Sequence, residues 1–148
     1  MKKKAIICDI DGCLLDTAHI HEDIKELGLE GIDKWRYFEM YANDIDVNFN
    51  YNLGGLLESL ARNGYEIILS TARSESIKHR TILKLKTNLN CEFKLYMRAS
   101  NDISPACEVK RKHLKQIQKE YAVEMAIDDE DANLDMFSKK GLFVMKAI

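Results

Sequence analysis

The 148-residue chain has no long apolar run and almost no net charge. No stretch of 18 apolar residues occurs, and the basic residues 2–4 lead into only a short apolar segment, so we expect neither a membrane span nor a signal peptide. The formal net charge of -2 predicts no extended electrostatic surface for nucleic acid or membrane, and any such partner would be bound locally. No G-x-x-x-x-G-K-[ST] phosphate loop is present, which argues against kinase activity.

Closely spaced cysteine pairs are also missing. The four cysteines, at positions 8, 13, 91 and 107, form no C-x-x-C motif, which argues against a disulfide framework or a zinc site. Reduced thiols are typical of a cytoplasmic protein, which is the location we expect. The four histidines have no spacing that suggests metal ligation, and we interpret them as surface residues.

What the sequence does have is a regular alternation of apolar strands with helix-period segments. Strands are predicted at residues 5–8, 65–70, 93–97, 123–127 and 142–145, and helices near 53–62, 76–89, 108–121 and 132–139. This alternation predicts an α/β fold, a Rossmann-like three-layer sandwich with a mostly parallel five-stranded sheet. We expect one domain over residues 1–148, with a small cap-like insert after the first strand at about 16–52, where the connection is too long to be simple.

Polar residues follow the predicted strands. Ligands of open parallel sheets bind beyond the carboxyl ends of the strands, and these residues fall there: Asp9 and Asp11, Thr71 and Arg73, Arg98, and Asp128 and Asp129. Paired carboxylates in such a place are unfavourable, because two unit charges 4 Å apart repel by about 4 kcal/mol at an effective dielectric of 20. A cation, a lysine or a phosphoryl group is therefore expected beside them.

Four ordered motifs give this pattern a family resemblance. Asp9-Ile10-Asp11-Gly12, the strand that ends in Ser70-Thr71-Ala72-Arg73, Lys110 and the pair Asp128-Asp129 resemble the motifs of the haloacid dehalogenase (HAD) superfamily of phosphohydrolases. Within it, the chain looks most like the 3′-phosphatase domain of phage-type polynucleotide kinases.

The resemblance implies a role for each residue. Asp9 would be the nucleophile that carries an aspartyl-phosphate, and Asp11 would protonate the leaving alcohol and then accept a proton from water. Thr71 and Lys110 would contact the phosphoryl oxygens. Mg²⁺ would be held by Asp9, the Asp11 carbonyl and the acidic pair Asp128 and Asp129. Arg73 and Arg98 would bind substrate phosphate, and a structural ion pair is the alternative for these arginines.

The predicted insert holds half of the aromatic residues, namely Trp35, Tyr37, Phe38, Tyr41, Phe49 and Tyr51. Such side chains could stack on a nucleobase, but aromatic residues are more often packed in a small core, and we favour packing. The insert is short, so the site should be open enough to admit a large substrate end.

These observations predict a magnesium-dependent phosphomonoesterase that acts on a nucleotide or on a nucleic-acid 3′-phosphate end, without a stable protein partner and without a membrane. A phosphatase of sugars or other small metabolites is the alternative. A receiver-like signalling domain uses similar residues, but its acidic pair lies on the first strand and its acceptor on the third, the reverse of the order here. A non-catalytic phosphate-binding domain would be expected to have lost at least one of Asp9, Asp11, Lys110 or Asp128, and none is lost.

Overall fold

The computed structural model describes residues 1–148. Its seven strands are β1 (Lys3–Cys8), β2 (Leu15–Asp16), β3 (Asn48–Phe49), β4 (Glu66–Ser74), β5 (Lys94–Arg98), β6 (Tyr121–Asp128) and β7 (Phe143–Lys146). Its six α-helices are α1 (Ala18–Glu26), α2 (Gly31–Tyr41), α3 (Tyr51–Arg62), α4 (Lys78–Asn88), α5 (Ala106–Ile117) and α6 (Asp131–Lys139).

Five of the strands form one sheet in the order β5-β4-β1-β6-β7, and every neighbouring pair is parallel. The first strand is therefore central, with Ile7 paired to Ile68 on one side and to Ala126 on the other. Because parallel strands are buried on both faces, β1 is a continuous apolar run from Ala5 onward. The predicted fold class is confirmed.

Helices cover both faces of the sheet and make the fold three-layered. On one face, Leu114 of α5 and Phe137 of α6 pack on Ile7. On the other face, Leu57 of α3 and Leu85 of α4 belong to a larger apolar cluster. All five of these side chains are almost completely buried. Successive side chains of β1 point to opposite faces of the sheet, so this one short strand packs against both helical layers.

The insert after β1 holds more regular structure than the sequence predicted. It contains α1 and α2, and it begins and ends at an antiparallel pair of two-residue strands, β2 and β3. Phe38 and Phe49 are buried in this part of the molecule. The helices were not predicted because α2 buries only Phe38 and so shows little apolar periodicity.

Element boundaries also differ from those predicted, most clearly in α5 and β4. Helix α5 spans Ala106–Ile117 and so ends earlier than predicted, because β6 already begins at Tyr121. Strand β4 continues to Ser74, past the predicted end, through a shift in its register with β5. None of the helices has the length and apolarity needed to cross a bilayer.

Candidate active site

The carboxyl ends of β1, β4 and β6 meet at a pocket of about 730 Å³. All of the site residues predicted from the sequence line this pocket, except Asp128, which is buried. Residues distant in the sequence are brought together because parallel strands end at the same edge of the sheet.

Lys110 lies between two buried carboxylates. Its Nζ is 3.0 Å from Oδ1 of Asp9 and donates a hydrogen bond of 2.6 Å to Oδ2 of Asp128. Burial alone would lower the pKa of Lys110, but the two carboxylates outweigh it and raise the pKa above its ordinary value. The lysine is therefore charged and holds the nucleophile candidate at the floor of the pocket.

The two members of the acidic pair have different environments. Asp128 accepts hydrogen bonds on both oxygens: Oδ2 from Lys110, and Oδ1 from the backbone N–H of Glu130 at 3.0 Å and from Nδ2 of Asn133 at 3.2 Å. Asp129 is half-buried and faces the pocket. Asp128 is thus engaged by the protein, whereas Asp129 is the member free to contact a ligand.

The donor atoms around Asp129 fit a divalent cation. Carboxylate oxygens of Asp9 and Asp129 and the sulfur of Cys13 all lie within 4.8 Å of one another. The Oδ1 atom of Asn133, buried beside them, has no hydrogen-bond partner. Burial raises the pKa of Asp9 well above its usual range, and the carboxylates of Asp128 and Asp11 add to the shift against the opposing Lys110. A hard cation such as Mg²⁺ suits these oxygen donors and would offset that unfavourable charge.

Gly12 sets the position of Asp129. It has a positive φ of 78°, in the turn after β1 where its N–H donates to the carbonyl of Leu15 at 2.9 Å. A Cβ atom at position 12 would lie only 2.1 Å from Oδ2 of Asp129. The glycine thus satisfies both the turn and the close approach of a candidate metal ligand.

Asp11 is held by an arginine. Arg73 donates from Nε to Oδ2 of Asp11 at 2.9 Å and from Nη2 to Oδ1 at 2.7 Å, and Thr17 contacts the same Oδ1 at 3.3 Å. The Asp11 side chain remains 21% exposed and lines the pocket, whereas that of Arg73 is fully buried. The predicted substrate contact of Arg73 stays a prediction, and its guanidinium is occupied by the protein itself.

Thr71 and Arg98 lie on neighbouring strands above the sheet edge. The Oγ1 atom of Thr71 accepts a hydrogen bond from the N–H of Arg73 at 3.1 Å, which fixes its side chain. Arg98 donates to the carbonyls of Ala72 at 2.9 Å and Ser104 at 2.5 Å, and also to that of Asp102. Its Nη2 makes no hydrogen bond within the protein, so Arg98 keeps donors that a phosphate could use.

One wall of the pocket is apolar. The ring of Trp35 lies with its centroid 5.1 Å from the Arg98 guanidinium carbon and is 44% exposed. Ile103, 97% exposed, and Pro105 line the same pocket. Among the aromatic residues of the insert, Trp35 and Phe38 line this pocket, and of these two only Trp35 is exposed.

His113 corrects the interpretation of the histidines as surface residues. It is buried on α5, where Nδ1 lies 2.8 Å from Oγ of Ser70 and Nε2 lies 3.0 Å from the carbonyl of Met97. A carbonyl only accepts, so Nε2–H donates to it and Nδ1 accepts from the serine hydroxyl. Burial lowers the pKa of His113, and the neutral ring holds β4 and β5 just before Thr71.

The comparison with protein families agrees with this geometry. The model for acid phosphatases of HAD superfamily subfamily IIIB matches residues 1–146. The chain belongs to that family. No curated protein sequence matches this HAD phosphatase.

Solved structures resemble this HAD phosphatase over nearly its whole length. The matched chain in a Pnkp1/Rnl/Hen1 complex is 26% identical, with a TM-score of 0.74, and the match covers 98% of this chain and 46% of that one. This HAD phosphatase thus spans less than half the length of the chain matched in that complex. The class C acid phosphatase from Bacillus anthracis with tungstate bound is 15% identical, with a TM-score of 0.69 and coverages of 99% and 68%.

A HAD family enzyme from Bacteroides thetaiotaomicron, in a magnesium complex, is 15% identical with a TM-score of 0.56, and the match covers 99% of this chain and 93% of that one. At this identity, as for the Bacillus enzyme, the likeness shows the shared fold.

Sequence reasoning missed Asn43 and Asn133, and it favoured packing for Trp35, which lines the pocket. Asn43 follows α2 and Asn133 lies in α6, and only the folded chain shows that Asn43 contacts Arg73 and that Asn133 contacts Asp128. A buried amide oxygen without a partner, as in Asn133, is a structural signal that the sequence does not carry.

Proposed function

We propose that this HAD phosphatase is a magnesium-dependent phosphomonoesterase that works through an aspartyl-phosphate on Asp9. The observation that carries the proposal is the position of Asp9: a buried carboxylate at the end of the central strand, 3.0 Å from the Lys110 ammonium and open to the pocket. In the first step an Asp9 oxygen bonds to phosphorus while the bond to the leaving oxygen breaks, and Asp11 gives that oxygen a proton.

In the second step water attacks the phosphorus of the aspartyl-phosphate. Asp11 accepts a proton from the water, and Asp9 is released with inorganic phosphate. Lys110 and Thr71, which both line the pocket, would donate to the phosphoryl oxygens during both steps. Bound Mg²⁺ would neutralise phosphate charge, with Asp9 and Asp129 as its carboxylate ligands and the Asp11 carbonyl as a third donor.

We further propose that the substrate is a nucleotide or the 3′-phosphate end of a nucleic acid. The pocket is large, and its apolar wall at Trp35 and Ile103 offers a surface to a flat leaving group. The free Nη2 of Arg98 supports contact with a phosphate beside that wall. A base stacked on the exposed indole would contribute about 1–3 kcal/mol, and a small sugar phosphate would not make this contact.

The deciding experiment is a phosphate-release assay with Mg²⁺ on nucleoside 3′- and 5′-monophosphates, 3′-phosphorylated oligonucleotides and sugar phosphates. We expect the nucleoside and oligonucleotide esters to have the higher kcat/KM. Better turnover of sugar phosphates would overturn the substrate assignment and favour a small-metabolite phosphatase. Absence of turnover on every ester would overturn the phosphatase mechanism.

A pair of aromatic variants tests the apolar wall. Trp35→Ala should lower kcat/KM on nucleotides by about 5- to 150-fold, which is the kinetic equivalent of 1–3 kcal/mol, and leave sugar phosphates unchanged. Tyr51→Ala is the matched control, because Tyr51 is also exposed but bonds to Asn88 outside the pocket. An equal loss in both variants would contradict a specific contact with Trp35.

A further inference from the structure

Every N–H of the Arg73 guanidinium has a partner inside the protein. Besides the two bonds to Asp11, Nη1 donates to Oδ1 of Asn43 at 2.6 Å and to Oγ1 of Thr81 at 3.2 Å, and Nη2 donates to the carbonyl of Ala42 at 3.1 Å. An arginine has five N–H donors, and these bonds use all of them. No donor remains for the phosphate of a substrate.

The arrangement around Asp11 is specific to an arginine. Both carboxylate oxygens of Asp11 are bound side by side, the geometry that a planar guanidinium gives and an ammonium cannot. Because the Arg73 side chain is fully buried, this pair is little screened by solvent. The Asp11 carboxylate is therefore fixed in direction while its exposed side faces the pocket.

The opposite side of Arg73 is anchored in the insert. Asn43 and Ala42 follow α2, and the ring of Phe38 lies with its centroid 5.7 Å from the guanidinium carbon. Thr81 adds a contact from α4, and Asn43 also donates to its Oγ1 at 3.3 Å. The insert thus helps to determine where Arg73, and through it Asp11, is held.

We propose that Arg73 is a positioning residue, which aims the Asp11 carboxyl at the leaving oxygen and does not bind the phosphoryl group. This inference rests on the proposed function, in which Asp11 protonates the leaving group. It differs from the substrate contact predicted from the sequence. The two roles give different kinetics, because an acid matters most when the leaving group is a poor one.

The test compares two esters in the wild type and in variants that lose the paired hydrogen bonds from Arg73 to Asp11. We would measure kcat/KM, which reports the steps up to departure of the leaving group, for a nucleoside 3′-monophosphate and for p-nitrophenyl phosphate. Arg73→Lys should lower the value for the nucleotide by about 100-fold or more and that for the aryl ester by less than about fivefold, since nitrophenolate leaves without a proton. Asn43→Ala should give the same imbalance with a smaller loss, and it decides the matter if the lysine variant does not fold.

Arg80→Gln is the matched control. Arg80 also joins α4 to α2, through a bond of 2.8 Å to the carbonyl of Glu39, but it does not touch Asp11. It should leave both values unchanged. If Arg73→Lys and Asn43→Ala lowered kcat/KM equally on the two esters, or lowered it on neither, the positioning role would be overturned. The proposed phosphatase function would be unaffected by that result. A wild-type protein inactive on both esters would overturn the proposed function and this inference with it.

Discussion

Lys110→Met removes the one ammonium that separates two buried carboxylates. The Lys110 side chain is only 3% exposed, and its Nζ lies 3.0 Å from Asp9 and 2.6 Å from Asp128. Methionine fills a similar volume without charge. The substitution therefore leaves the packing almost unchanged and isolates the electrostatic contribution of the lysine.

The expected cost follows from the burial of this ion pair. Removing one partner of a buried pair destabilises a protein by about 3–5 kcal/mol, because the remaining charge is uncompensated. For a domain of this size that corresponds to a fall in Tm of about 6–20 °C. Asp9 can relieve part of the cost by binding a proton, since its pKa is already raised by burial. A carboxyl group whose pKa is raised in the folded state stabilises the fold at low pH, and this stabilisation is lost as the pH rises. The variant should therefore be least stable at high pH.

The assay is thermal and urea unfolding followed by circular dichroism, with and without Mg²⁺. The cation should restore part of the lost stability, because it binds the folded state and supplies positive charge to the same carboxylates. Lys112→Met is the matched control: Lys112 lies on the same helix and pairs with Asp102 at 3.1 Å, but its side chain is 61% exposed. Such a surface pair contributes about 0–1 kcal/mol. If Lys110→Met cost no more than Lys112→Met, the reasoning about the buried pair would be refuted.

Three further predictions concern single positions. Gly12→Ala should destabilise the protein in urea unfolding and weaken Mg²⁺ binding measured by calorimetry, because the new Cβ would meet Asp129. Gly28→Ala is the control: Gly28 has a φ of 64° and open space around it, so this variant should show the backbone effect alone. Equal Mg²⁺ affinities of the two variants would count against the clash. The wild type should lose stability as the pH falls below about 6.5, because the lowered pKa of His113 in the folded state favours proton binding by the unfolded chain. His113→Gln should remove this loss. Wild-type urea midpoints that stay identical from pH 8 to pH 5 would rule the prediction out. Asp9→Asn should abolish phosphate release from every ester with an unchanged circular dichroism spectrum, and appreciable residual turnover would eliminate Asp9 as the nucleophile.

The elements that the sequence predicted well are those with strong local signals. The apolar run before Asp9 and the glycines before β4 and β7 mark the sheet, and its parallel order follows from the alternation with helices. The strand ends then place Thr71 and Asp128 near Asp9 without further information. The family assignment was within reach for the same reason, because three of its four motifs lie at those ends.

The partners of the arginines could not be predicted. Arg73 and Arg98 lie in the last two residues of β4 and β5, so their position at the sheet edge was expected. Their contacts come from backbone carbonyls and from Asn43, which is 30 positions before Arg73 in the chain. Nothing in a local pattern encodes such long-range hydrogen bonds. The distinct environments of Asp128 and Asp129 were hidden for a similar reason, because Asp128 is bonded by Lys110 of α5 and Asn133 of α6.

The narrow entrance to the insert has a consequence for how this chain can diverge. The insert leaves and rejoins the rest of the molecule where β2 lies beside β3, with Leu15 opposite Phe49 and Asp16 opposite Asn48. Because the two ends are held side by side, lengthening the segment between them costs little, about 0.6 kcal/mol of loop entropy for each doubling. Insertions and deletions there leave the order of the five central strands untouched. Evolution or an engineer can therefore exchange the part that shapes the pocket wall while Asp9 and Asp128, which contact Lys110 outside the insert, keep their places.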